Sequence, residues 1–136
     1  MNTNAAATAP DIVKRTFDFG VRVVKLCLSL DAKPGVGRVL SPQIVRAGTS
    51  IGSMVEEAQA GESRPDFISK MSIALKEARE VHYRLRILAA AEVLAASQLA
   101  DILVEAEEIT RVLGAIIVST KRNSTNIRTD ATIKNQ

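Results

Sequence analysis

The segment FISKMSIALKEAREVHYRLRIL, residues 67–88, decides the fold class. Phe67, Met71, Ala74, Ala78, Val81, Leu85 and Leu88 recur at spacings of 4, 3, 4, 3, 4 and 3. Side chains three and four residues apart stack on one side of a helical turn, so this pattern is one face of an α-helix. Lys70, Lys76, Glu77 and Arg84 fall away from that face. Ser63 stands before the run with Asp66 three residues on, a short-acid variant of the capping box. The spacing predicts a helix over about residues 64–92.

Working towards the N-terminus, Ser41-Pro42 reads as a helix start, with serine as the cap and proline in the first turn. Ile44, Ala47, Ile51, Val55 and Ala58 form the apolar stripe of this helix, over about 41–61. Gly48, Ser50, Gly52 and Ser53 are poor helix formers. Their small side chains predict that another backbone packs closely along this helix. A first helix covers about 11–32, with Ile12, Phe19, Val23, Leu26 and Leu30 on one face. Val13, Phe17, Val24 and Leu28 form a second, adjacent apolar face. A bundle helix needs only one stripe, so the second predicts contact with another subunit. The breaker cluster from Asp31 to Gly35 ends it.

Ser97 reads as the cap of a fourth helix over about 97–121, whose stripe is Leu99, Leu103, Ala106, Ile109, Leu113 and Ile116. Residues 1–9 and 123–136 show no apolar periodicity and are expected to be disordered. Four such helices with short connections predict an all-α, antiparallel up-down-up-down four-helix bundle over residues 10–122, with disordered termini.

Composition narrows the chemistry. The chain has 136 residues, 46% of them hydrophobic and 24% charged, enough for one packed domain. One cysteine, Cys27, excludes an intramolecular disulfide, and one histidine, His82, excludes a multi-histidine metal site. The paired Glu-x-x-His motifs of di-metal bundles are absent, since Glu80 precedes His82 by two residues. Cys27 has no sequence-adjacent base and sits in an apolar run, which reads as an inert core thiol. Gly35-Val-Gly37 lacks the lysine and strand context of a phosphate loop. No cofactor, metal or catalytic residue is expected. No apolar run is long enough to span a bilayer, and the start lacks a signal-peptide pattern, so a cytoplasmic protein without membrane contact is expected.

The formal charge of +3 is unevenly distributed. Residues 121–136 hold Lys121, Arg122, Arg128 and Lys134 against Asp130, which accounts for the whole excess. Candidate phosphate contacts are Lys14, Arg15, Arg22, Lys25, Arg38, Arg84, Arg86, Lys121 and Arg122. The aromatic interleaving of single-strand binders is missing from this set. A symmetric oligomer would multiply a modest patch, and binding scales with the phosphates met. Arg46, Ser50, Ser53 and Glu57 share one face of the second helix, with Glu77 and Glu80 available on the third. These residues predict a partly buried polar network fixing bundle register. A polar pocket is the other reading of this face.

The stretch Gln43-Ile-Val-Arg46-Ala47-Gly-Thr-Ser50-Ile51-Gly-Ser-Met54-Val55-Glu56-Glu57-Ala58 resembles a known family. Its members are small four-helix bundle proteins encoded in intervening sequences of bacterial 23S ribosomal RNA genes. The accessory variability protein of diversity-generating retroelements is similar to them. The family pattern is roughly Gln-x-x-Arg-Ala-x-x-Ser-Ile-x-x-Asn-Ile-x-Glu-Gly/Ala. The likeness continues through Phe67 to Glu80 and Tyr83-Arg-Leu85, and extends over about residues 11–120. Met54 stands where the family often has Asn, and Arg84 where an aromatic is frequent. The resemblance implies a homopentamer with a central channel and no established enzyme activity. It also implies nucleic-acid binding, with a reverse transcriptase as partner for the retroelement relatives. The leading expectation is a non-enzymatic oligomeric bundle that binds RNA or DNA. The alternative is a protein-interaction scaffold without nucleic-acid binding.

Overall fold

The turn after the first helix depends on Gly35, whose φ of +139° is open to glycine and strained for any residue with a Cβ. It separates α1 (Asp11–Asp31) from α2 (Val36–Gln59) in a computed structural model that describes residues 11–134, with side-chain surroundings for residues 12–123. Helices α3 (Arg64–Ala90) and α4 (Ala96–Lys134) follow. The connections are residues 32–35, 60–63 and 91–95, short enough to make consecutive helices antiparallel neighbours. Helix α1 packs on α2, α2 on α3 and α3 on α4, and a sparser α1–α4 seam closes the ring.

Several boundaries differ from expectation. Helix α2 begins at Val36, so Pro42 lies inside it and Ser41 is not its cap. Pro42 is exposed and, lacking an N–H, donates no bond to the helix ladder. Ser41 is buried, and its carbonyl accepts a 3.7 Å hydrogen bond from Cys27 Sγ. Ser97 is not the cap of α4 either. The backbone N–H of Ala95 donates to Gln98 Oε1 at 3.2 Å, so a side chain inside the helix reaches back to its start. Ser63 does cap α3, its Oγ accepting from the Asp66 N–H at 3.2 Å.

The expected end of α4 near Lys121 and Arg122 is also corrected. The helix continues to Lys134, taking in most of the stretch read as a disordered tail. After Gly114 the chain contains neither glycine nor proline to break it. At the α-helical rise, 39 residues span about 58 Å and the 21 residues of α1 about 31 Å. The last buried α4 position among the described residues is Ile117, so the helix runs on beyond the core. The expected disorder of residues 1–9 lies outside the described residues.

The core follows the stripes. Ile12, Phe19, Val23, Cys27 and Leu30 come from α1, and Ile44, Ala47, Ile51, Val55 and Ala58 from α2. Met71, Ala74, Ala78, Val81, Leu85 and Leu88 come from α3, and Leu99, Ile102, Ala106, Ile109, Leu113 and Ile117 from α4. Leu26, Phe67, Leu103 and Ile116, expected inside, are only partly buried against it. Leu26, Leu103 and Ile116 each yield to an apolar neighbour one position away, Cys27, Ile102 and Ile117, and Phe67 stands at the N-terminal end of its stripe. Spacing defines a face to within about one residue, and packing chooses between neighbours.

Candidate nucleic-acid interface and assembly surface

The α1–α2 seam brings backbone against backbone. A Cβ built on Gly52 would lie 3.2 Å from the Thr16 carbonyl oxygen. One built on Gly48 would lie 2.6 Å from Val23 Cγ1. The small residues of α2 thus serve the close approach expected of them. Beside this seam runs an open groove of about 630 Å³, lined by Phe17, Val21, Val24 and Leu28 of α1 and Thr49, Gly52 and Ser53 of α2. Phe17 is 60% exposed and Leu28 66%. This is the second apolar face of α1, and neither α3 nor α4 covers it. Contiguous exposed apolar surface of this kind marks an interaction site.

The expected polar network divides into separate pieces. Arg46 reaches Glu80 at 2.7 Å and Glu77 at 3.4 Å across the α2–α3 seam. Arg84 also reaches Glu80, at 3.1 Å. Glu57 pairs with Lys70 at 3.7 Å, apart from this cluster. Ser50 Oγ donates to the Arg46 carbonyl at 2.6 Å, within its own helix. The Arg46 side chain is 53% exposed, so the pair is a surface clasp rather than the partly buried network expected. Burial pushes the Glu80 carboxyl up. Hydrogen bonds from Arg46 and Arg84, with the Arg46 charge, outweigh it and hold Glu80 below the ordinary carboxylate range. Arg46 is raised in turn, chiefly by its hydrogen bond to Glu80.

The structure sorts the basic candidates into two groups. Lys14 pairs with Asp18. Arg15 holds Glu105 in a two-pronged contact at 3.0 and 2.7 Å across the α1–α4 seam, with Glu108 at 3.7 Å. Arg38 donates to the Asp31 carbonyl, and Arg84 is taken up by Glu80. Arg22, Lys25, Arg86 and Arg122 have no carboxylate partner among the described residues. Lys121 and Arg122 lie on α4 beyond the core. The candidates therefore do not converge on one patch.

Two cations that the sequence reading left out of the candidate set, Lys76 and Arg79, are also exposed and free of carboxylates. They share the outer face of α3 with Tyr83 and Arg86. The Arg86 guanidinium lies 5.7 Å over the Tyr83 ring. An aromatic is interleaved with cations here, contrary to the expectation that none is. The spacing of these residues, three, four and three, was visible in the sequence beside the apolar stripe.

No group of three or more His, Cys, Asp or Glu able to hold a metal occurs among the described residues, and no helix there is long and apolar enough to cross a membrane. Cys27 is buried. Burial pushes its thiol up, with Asp31 adding to it, against the Ser41 side chain, which pulls it down, and the net shift favours the protonated thiol.

The geometry defines a small all-helical bundle with an exposed apolar seam between α1 and α2 and cations on its surface. The family model for 23S rRNA-intervening sequence proteins matches residues 9–115, and the chain belongs to that family. A crystal structure of a protein of unknown function from the S23 ribosomal protein family, from Bacteroides thetaiotaomicron, is 39% identical. The match covers 78% of this chain and 97% of that one, with a TM-score of 0.72. No curated protein matches the chain.

Proposed function

We propose that this chain is a non-catalytic, self-associating four-helix bundle that works in the cytoplasm and binds nucleic acid through cations repeated around the assembly. The observation that carries it is the set of exposed cations without carboxylate partners, Arg22, Lys25, Arg86 and Arg122 among them. Each protomer offers few such groups, and repetition in an oligomer makes them effective, because counterion release grows with the number of phosphates neutralised. The α1–α2 groove supports the self-association. A second copy covering Phe17, Val24 and Leu28 removes exposed apolar residues of α1 from water. A homopentamer is the assembly that the family resemblance implies.

Light scattering and fluorescence anisotropy test this together. The expected mass is a multiple of 14.6 kDa. Labelled RNA and DNA are expected to bind with an affinity that falls steeply as salt rises. The groove also favours a second reading, a scaffold for a partner protein such as a reverse transcriptase. A protein that stays at 14.6 kDa and ignores nucleic acid at low salt supports that reading instead.

A further inference from the structure

The sequence of α3 places Lys76, Arg79, Tyr83 and Arg86 within an arc of about 80°, at 100° per residue. That arc lies opposite Ala74, Ala78, Val81 and Leu85, which are buried. All four side chains of the arc are exposed, and Tyr83 is 55% exposed.

The helix also carries Glu77 and Glu80, which would neutralise this face if they turned towards it. They do not, because Arg46 draws both to the α2 side, at 3.4 and 2.7 Å. Arg84 follows Glu80 there. The clasp thus sorts the charges of α3, leaving three cations and no paired carboxylate on the outer face. The face runs about 15 Å along the helix from Lys76 to Arg86.

Helices α1 and α3 stand diagonally, each packed on α2 and α4 and not on one another. The α3 face therefore points away from the α1–α2 groove. Self-association through the groove leaves it uncovered.

We infer that this α3 face is a binding site for single-stranded nucleic acid, with Lys76, Arg79 and Arg86 on consecutive phosphates and Tyr83 stacking a base. This deepens the nucleic-acid reading above and rests on it. A duplex hides the faces of its bases, whereas an exposed tyrosine between cations offers a platform to an unpaired one. The Arg86 guanidinium over the ring supports the tyrosine and holds a positive charge beside the stacked base.

The test uses the full chain and anisotropy with labelled single-stranded RNA, single-stranded DNA and a DNA duplex across a salt titration. The triple variant Lys76→Gln/Arg79→Gln/Arg86→Gln is expected to lose at least tenfold in single-strand affinity. Its salt slope should flatten by about 2 per protomer, as three phosphate contacts require. Tyr83→Ala is expected to lose about five- to a hundredfold on single strands and to leave duplex binding unchanged. Arg22→Gln/Lys25→Gln, on α1, is expected to weaken single-strand and duplex binding alike and to leave the preference for single strands unchanged. Circular dichroism checks that each variant keeps its helices, and Tyr83→Phe, which keeps the ring, should bind as the parent.

Comparison of the RNA and DNA arms identifies the source of the strand, and tighter binding than to duplex in either supports the inference. Parent binding that survives the triple variant but is lost with the α1 variant overturns the α3 site and leaves nucleic-acid binding standing. Equal effects of Tyr83→Ala on single strand and duplex overturn the stacking role. Absence of parent binding at low salt overturns both the site and the reading beneath it.

Discussion

Gly48 and Val23 occupy adjoining space so tightly that a Cβ on Gly48 would meet three Val23 side-chain carbons at 2.6, 2.8 and 2.9 Å. Valine has a branched, stiff side chain that cannot swing aside. Alanine is the better helix former by about 1 kcal/mol, yet here the clash outweighs that gain. Gly48→Ala is expected to destabilise by about 1–3 kcal/mol in denaturant unfolding. Val23→Ala should remove much of that extra cost in the double variant. Gly114→Ala is the contrast, since nothing lies within 4 Å of its Cβ. It is expected to stabilise by about 1 kcal/mol.

Glu92 closes α3 at a φ of +58°, the left-handed region that glycine usually fills. The Val93 N–H reaches the Leu88 carbonyl at 3.0 Å, and the Glu92 N–H reaches that of Ala89 at 3.1 Å. This is the bonding pattern of a Schellman cap. Glu92→Gly keeps both bonds and removes the Cβ strain. It is expected to raise stability by about 1 kcal/mol, read as a higher Tm.

The Arg46–Glu80–Arg84 clasp gives stability a pH dependence. Glu80 is held below its ordinary range, so between its folded and unfolded values the unfolded chain binds more protons. Its contribution is therefore complete above the ordinary carboxylate value and is lost as the pH falls through the folded one. Glu80→Gln is expected to cost about 1 kcal/mol at pH 7. The difference from the parent should shrink steadily in unfolding curves taken below about pH 4.

The groove predicts its own disruption. Phe17 and Leu28 are mostly exposed in the single chain, so Phe17→Glu/Leu28→Glu leaves the core intact. Charge in an apolar interface is costly to desolvate. The double variant is expected to keep its helicity and to fall to a mass of 14.6 kDa in light scattering.

The class of fold was legible because its cause is local. Met71 to Leu88, Ile44 to Ala58 and Leu99 to Leu113 each repeat at the helical period, and a helix with such a stripe must bury it. The close α1–α2 approach was legible too, since Gly48 and Gly52 have no other reason to interrupt a helix. Family membership was readable from the stretch around Arg46 to Ala58.

Tertiary structure decided what depends on contacts distant in sequence. Whether Ser41 or Gly35 begins α2 was settled by packing, as Ser41 turned inward against Cys27. The expected Arg46, Ser50 and Glu57 face separated because Arg46 turns to Glu77 and Glu80, Ser50 to its own helix and Glu57 to Lys70. Arg15 left the set of free cations because folding brings Glu105 of α4 to it, whereas Lys14 and Arg84 pair with acids four residues away on their own helices. The spacing of Lys76, Arg79, Tyr83 and Arg86 was legible as a face, and the fold decided that Glu77 and Glu80 pair with Arg46 instead of with its cations. Periodicity tells which residues share a side of a helix, whereas only the neighbouring helices decide which charges are neutralised there.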